Sequence, residues 1–398
     1  MKHASLLFFT APLLGSLLGC NALLGNDESV NANGEEGKTS RQGSDDTATP
    51  SKDAASSNTT KGGDDGGTSP HTRDDSKAPC ASCSATLVAK GANRARSIRV
   101  DKTHVYFSDS LGVHRIARAA TPCLQSECLD HLWSKSSYSG FELASDIDRD
   151  QMCWIGQQTF GCTDTSTLVN KTVSLDSINV SSSITGLQIF QGKAYAIYDA
   201  NRRTLGTATA ASLATGTGQF GNTVTTTNML DGFTVNETHL AWEEGDNASN
   251  HRIFVRALSG SAAIEIKMPA DATKEYTRNL ALWNDRVYFS RAKAVYVAPI
   301  DGSAEAVPLA SFHQPGQLIV SALGVIAAVG GDNANSDNGV EWSPLLPEPA
   351  GKALRVATRL ASSNEVVPSV AVSEDAIYYS VAPFSGDSGA GVWKIPLE

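Results

Sequence analysis

One short unit recurs seven times between about residue 95 and the C-terminus, and few folds accommodate such a pattern. An apolar residue leads, three or four polar turn-formers follow, and then comes a β-branched or apolar residue, usually with aromatics. The first copy reads Ile98-Arg99-Val100-Asp101-Lys102-Thr103-His104-Val105-Tyr106-Phe107-Ser108-Asp109. Aligned on the apolar residue that ends the first strand, the copies are anchored at Val100, Ile147, Ile189, Val235, Leu282, Val320 and Val372, with spacings of 47, 42, 46, 47, 38 and 52 residues.

A second strand begins about five residues after each anchor: Val105-Tyr106-Phe107, Met152-Cys153-Trp154, Ala194-Tyr195-Ala196, Leu240-Ala241-Trp242, Val287-Tyr288-Phe289, Val325-Ile326-Ala327 and Ile377-Tyr378-Tyr379. The connecting residues, such as Asp101-Lys102-Thr103-His104 and Asn236-Glu237-Thr238-His239, carry the Asp and Asn that bend a chain between antiparallel strands. Third strands are legible at Val113–Ile116, Ile253–Leu258, Val295–Ala298 and Val392–Ile395, and weaker fourth strands at Leu132–Ser134 and Ala263–Ile266. Periods near 40–50 residues with several strands each are the signature of propeller blades. The expected fold is all-β: a seven-bladed β-propeller over residues 80–398, with four antiparallel strands per blade. No convincing amphipathic helix follows residue 20.

Blade 7 runs out of chain with only three strands. The strand-like stretch Ala85-Thr86-Leu87-Val88-Ala89 just before blade 1 is expected to supply the fourth and clasp the ring; the alternative is a frayed lead-in.

The Val-Asp-x-x-x-Val-Tyr-Phe-Ser-Asp unit resembles the repeats of YWTD-type and NHL-like propellers, and of large lipoprotein families of myxobacteria and their relatives. The resemblance spans about 300 residues and implies architecture. It says almost nothing of function, because propellers host hydrolases, lyases, receptors and scaffolds alike.

The first residues read as a processing segment. Lys2 and His3 precede an apolar run from Leu6 to Leu18, too short to cross a bilayer, and the run ends in Leu17-Leu18-Gly19-Cys20. This ending resembles a bacterial lipobox. The resemblance implies a signal peptide over residues 1–19 and an acylated Cys20 as membrane anchor. Asn21 in place of Asp leans the location toward the outer membrane of a cell envelope.

Residues 21–79 hold eleven acids and six bases, and only Leu23, Leu24 and Val30 are large and apolar. Such a segment cannot bury enough surface to offset its ordering entropy, so residues 20–79 are expected to form a disordered N-terminal tether with a reach of roughly 40–45 Å. Net charge over the chain is −10, which gives nucleic-acid binding no electrostatic support.

Six cysteines remain after Cys20, an even number in an extracytoplasmic setting, so disulfides are the expectation. Pairing Cys153 with Cys162 sets Gly156 opposite Thr159 and leaves Gln157-Gln158 as a two-residue turn. Cys123 with Cys128 and Cys80 with Cys83 would then close local loops. Exchange among those four stays open, as does a zinc site using the Cys80-x2-Cys83 spacing.

Candidate chemistry is thin. Asp146-x-Asp148-x-Asp150 resembles a calcium loop but has Gln151 and Gln157 where an EF-hand needs Gly and Glu. Gly386-Asp387-Ser388-Gly389 matches a serine-protease nucleophile motif without a matching His motif. The Asn-rich loop Asp332–Gly339 is the best hard-cation candidate, with Asp332 and Asp337 as weak metal ligands and Ca as the alternative to no cofactor; it reads equally as a polar surface loop. Loops joining second and third strands share one face of a propeller. The candidate binding face is therefore Asp109, Asp199, Arg203, Glu243, Glu244, Asp246, Arg291, Asp332, Asn335, Asp337 and Asp387, acidic overall and suited to a cation or a basic partner. The recurring aromatics read as core between blades.

These readings give a lipid-anchored, monomeric envelope propeller acting as a non-catalytic binding module for a protein, peptide or glycan. The alternative is a propeller hydrolase or lyase with a metal in the central channel.

Overall fold

The computed structural model describes residues 79–398, except 91–94, 96, 110, 120–121, 125–127, 135–141, 147–148, 157, 179, 181–183, 200, 246–249, 270–278, 331–337, 346–353, 364 and 383–389. Cys20, the tether, Asp246, Asp332, Asn335, Asp337 and Asp387 lie outside the described residues, as do Ile147, Asp148 and the Gly-Asp-Ser motif.

Seven four-stranded antiparallel sheets make seven blades. Blade 1 holds β2 (Ser97–Val100), β3 (His104–Ser108), β4 (Gly112–Ala117) and β5 (Asp130–Ser134). Blade 2 holds β6 (Glu142–Asp146), β7 (Gln151–Gly156), β8 (Thr159–Asp164) and β9 (Asn170–Ser174). Blade 3 holds β10 (Thr185–Phe190), β11 (Lys193–Ile197), β12 (Thr204–Thr209) and β13 (Gly221–Thr225). Blade 4 holds β14 (Met229–Val235), β15 (His239–Gly245), β16 (His251–Ala257) and β17 (Ile264–Glu265). Blade 5 holds β18 (Leu280–Trp283), β19 (Arg286–Arg291), β20 (Ala294–Pro299) and β21 (Val307–Ser311). Blade 6 holds β22 (Pro315–Ser321), β23 (Gly324–Val329), β24 (Asn338–Ser343) and β25 (Thr358–Ser363). Blade 7 holds β26 (Val366–Val372), β27 (Ala376–Ala382) and β28 (Gly391–Pro396), and its fourth strand is β1 (Thr86–Lys90). The clasp expected from the sequence is present: β1 runs antiparallel to β28, with Thr86 opposite Lys394 and Lys90 opposite Gly391. Helix among the described residues is short: α1 (Ala210–Ala214), a 3-10 turn over Leu175–Ile178, and 3-10 positions at Cys128 and Arg149. No helix among them is long and apolar enough to cross a membrane.

The first-to-second-strand turns form as their side chains dictate. Asp101 Oδ1 accepts hydrogen bonds from the amides of Thr103 and His104, both at 2.7 Å. Asn236 Oδ1 does the same for Thr238 at 3.0 Å and His239 at 2.8 Å. Each carbonyl-type oxygen satisfies two amides that the reversing chain leaves unpaired. His104 and His239 repeat one arrangement, each with Nδ1 2.8 Å from the preceding Thr hydroxyl.

The first strands of consecutive blades touch around a closed ring, ending with β26 against β2. The core is divided accordingly, into one apolar cluster at each of the seven seams. Tyr106, Leu143, Met152 and Trp154 fill the seam of blades 1 and 2, while Phe107, Ala371, Tyr378 and Val392 fill that of blades 7 and 1. The repeating aromatics are thus core: Tyr106, Phe107, Trp154, Trp242, Tyr288, Phe289, Tyr378 and Tyr379 are all buried. A single sheet has two apolar faces and no way to cover them; a ring of seven covers both faces of each. Gly161 shows how tight this packing is, since a Cβ there would lie 2.3 Å from the Trp154 ring.

Polar links fasten the inner strands across seams. Ser97 Oγ accepts from the Leu143 amide at 3.3 Å, Gln188 Oε1 from the Val235 amide at 3.0 Å, and Gln317 Oε1 from the Val370 amide at 2.9 Å. All three predicted disulfides form: Cys80–Cys83, Cys123–Cys128 and Cys153–Cys162. Cys153 stands directly opposite Cys162, and Gly156 opposite Thr159, the register read from the sequence. With all six thiols consumed, the zinc alternative has no thiolate ligands left.

Candidate functional site

Strand direction places the ends of every second strand and the starts of every third at one end of the ring. Of the candidate face residues described, Asp109, Glu243, Glu244 and Arg291 are buried there, Asp199 is half-buried and Arg203 is exposed. The buried ones are engaged with partners inside the protein.

Glu243, near the end of β15, is fully buried and takes Arg291 Nη1 of blade 5 at 2.7 Å on its Oε1. His251 at the start of β16 sets Nδ1 3.2 Å from the same oxygen and 3.5 Å from Asp231 Oδ2 of β14. Arg202, from the β11–β12 loop of blade 3, reaches Asp231 Oδ1 at 3.4 Å. Three blades thus meet in one charge cluster. Burial by itself lowers the pKa of His251, but the contacts with Asp231 and Glu243 outweigh it and raise the value to about 9, against the repulsion of Arg291. His251 is therefore an imidazolium at neutral pH. Gly245 is what makes room: a Cβ there would stand 2.5 Å from Asp231 Oδ2 and 2.6 Å from His251.

Asp231, Glu243 and His251 bring three potential metal-ligand atoms within 4.8 Å of one another. Their negative charge is already outnumbered, however. Two carboxylates face two guanidinium groups and one imidazolium, so a divalent ion would add positive charge to a buried cluster that is already net positive.

Glu244 is held differently. Its Oε2 accepts from Thr226 Oγ1 at 2.8 Å and Asn228 Nδ2 at 3.3 Å, and its Oε1 from Trp242 Nε1 at 3.0 Å. A similar device recurs in blade 6, where buried Glu341 takes His313 Nδ1 at 2.6 Å and Arg359 Nη2 at 2.9 Å. In blade 1, Asp109 Oδ1 accepts from the amides of Leu111 and Gly112 and from His114 Nε2.

Beside the blade 4 cluster a groove of about 640 Å³ opens to solvent, lined by Asn228, Asn250, His251, Arg252, Glu265, Ile266, Lys267 and Met268. Arg252 hangs between Glu244 and Glu265, 3.8 Å from each, and its side chain is 45% exposed. Buried Ile266 and half-buried Met268 add apolar surface, and Lys267 stands exposed at the rim. The groove mixes charged and amide side chains with the apolar groups of Ile266 and Met268. No sequence motif marks the residues that line it. The one available signal was a His opening or nearly opening a third strand, His251 in blade 4 and His114 in blade 1.

Neither a protein-family model nor a curated protein sequence matches the chain. Solved structures do match it in fold. A chain of the Mitotic Checkpoint Complex aligns with 86% of this chain and 99% of its own length at 10% identity, with a TM-score of 0.56. YCF48, solved bound to D1 peptide, aligns over 81% of this chain and 98% of its own at 9% identity, TM-score 0.52. The extracellular domain of BT4673 from B. thetaiotaomicron aligns over 78% of this chain at 9% identity, TM-score 0.52; there the match spans 39% of that chain. At these identities the likeness establishes the β-propeller class and nothing narrower.

Proposed function

We propose that this chain is a lipid-anchored propeller of the cell envelope that works as a non-catalytic binding module, held to the outer membrane through Cys20. The observation that carries the binding role is the contrast on the loop-bearing end of blade 4. Titratable groups that could serve acid–base chemistry are locked in buried ion pairs, while an open groove beside them offers Arg252, Lys267 and Asn250 alongside the apolar groups of Ile266 and Met268. Ion-paired strand ends beneath an accessible groove suit recognition. Peptide binding by YCF48 and assembly in the Mitotic Checkpoint Complex are precedents for propellers of this size, and the protein's partner is read as a protein or peptide. The anchor rests on the lipobox-like Leu17-Leu18-Gly19-Cys20.

Two measurements test the two halves. Growth with labelled palmitate should label the wild type and leave Cys20→Ala unlabelled; label retained in the variant contradicts the anchor. Arg252→Glu with Lys267→Glu should reduce partner capture at least about tenfold in a protein that is still folded, as its melting curve shows. Unchanged capture contradicts the groove.

A further inference from the structure

We propose that blade 1 carries a transition-metal site, formed by His114 and His131 and suited to Cu(II) or Ni(II). The two residues are direct cross-strand partners on β4 and β5. They come opposite one another because of a bulge. Val113 pairs with Trp133 and His114 with His131, so Leu132 is the extra residue on β5. Without that slip His114 would face Leu132. Bulges commonly re-aim a side chain in this way.

The two Nδ1 atoms stand 2.8 Å apart, with the rings nearly perpendicular at 80°. His114 is buried and its tautomer is fixed from behind. Asp109 Oδ1, which also accepts the Leu111 and Gly112 amides, takes the Nε2 proton of His114 at 2.8 Å. The Nδ1 lone pair of His114 therefore points at His131. A carboxylate bonded to the far nitrogen of an imidazole is the usual support of a metal-binding histidine, fixing its tautomer and raising its basicity. His131 is exposed, so an ion and its water ligands can approach from solvent.

The spacing bears on the metal. With metal–nitrogen bonds of about 2.0 Å, adjacent ligands of a square-planar or octahedral shell stand about 2.8–2.9 Å apart, whereas a tetrahedral pair needs about 3.3 Å. The 2.8 Å between the hydrogen-bonded nitrogens of the free protein is closer to the cis separation, so a small turn of each ring closes a cis pair without spreading the strands. In the free protein His131 Nδ1 donates its proton to the Nδ1 lone pair of His114. Binding M²⁺ moves that proton from Nδ1 of His131 to its Nε2 by way of solvent, forms two metal–nitrogen bonds with no net loss of protons from the pair, and leaves the remaining positions to water.

The test is Cu(II) titration of the whole chain, followed by calorimetry and by electron paramagnetic resonance. The wild type should bind one ion through two nitrogens, with Ni(II) competing better than Zn(II). His131→Ala, at an exposed position, should weaken this binding at least about tenfold and leave a spectrum with fewer nitrogen ligands. Asp109→Asn should weaken it by about 10–100-fold, the usual effect of removing such a support. If His131→Ala binds copper with the wild-type affinity and spectrum, the site does not exist as described. A wild type that prefers Zn(II) overturns the selectivity argument and with it the cis-pair geometry.

Discussion

Ser369 Oγ of blade 7 accepts a hydrogen bond from the Ile98 amide of blade 1 at 3.1 Å, and donates one to Gln317 Oε1 of blade 6 at 2.7 Å. One hydroxyl thus ties the last seam of the ring to the one before it. Ser369 is buried, so Ser369→Ala leaves the buried Ile98 amide without this partner. The expected loss is about 1–3 kcal/mol, read as a lower urea midpoint. A variant with the wild-type midpoint would show that the seam is held by apolar contacts alone.

The clasp closes the same seam by backbone pairing. Deleting residues 84–90 removes β1 and strips the outer edge of β28. Val88 and Ala89, both buried, leave the cluster that joins blades 7 and 1. The melting temperature should fall far more than for Ser369→Ala. An unchanged value would mean that β28 does not depend on β1.

His251 makes stability depend on pH in the alkaline direction. Its pKa rises from 6.5 to about 9 on folding, so its contribution is complete below pH 6.5 and disappears as pH climbs through 9. The total at stake is at most about 3–4 kcal/mol. Urea midpoints should decline between pH 7 and pH 9.5 in the wild type, and this decline should flatten in His251→Gln. Parallel curves for the two proteins would remove His251 as the cause.

Gly245 is predicted to tolerate no side chain. In Gly245→Ala the new methyl group would collide with Asp231 and His251, forcing the charge cluster apart. Stability should drop by about 1–3 kcal/mol, the cost of overpacking a filled site, and the alkaline decline should shrink because His251 loses its carboxylate contacts. Wild-type stability with a wild-type pH profile would contradict the packing described.

The ring was legible in the sequence because its causes are local and repeated. Asp101 and Asn236 announce turns, and aromatics at blade spacing announce seams. The disulfide at Cys153 and Cys162 follows from counting residues in a hairpin. The clasp followed from a missing strand. The functional groups were less legible because they are assembled across blades. Nothing near Glu243 in sequence indicates that Arg291, forty-eight positions later, will neutralise it. Asp109 and Glu244 read as surface acids, yet backbone amides and neighbouring donors consume them. The His114–His131 pair depends on a one-residue bulge at Leu132, a register slip that alternation alone does not reveal. The loop positions Asp246, Asp332, Asn335, Asp337 and Asp387 lie outside the described residues and remain sequence-based expectations.

The measurement closest to the central claim is partner capture from envelope extract by the whole chain, comparing wild type with Arg252→Glu/Lys267→Glu. Arg252→Glu sets a third carboxylate between Glu244 and Glu265, so the comparison uses a variant whose melting curve and circular dichroism match the wild type, or Arg252→Gln/Lys267→Glu in its place. The account predicts one defined partner, recovered by the wild type and reduced at least about tenfold by the variant, the scale of a single well-placed interface residue. Equal recovery by both proteins would contradict it.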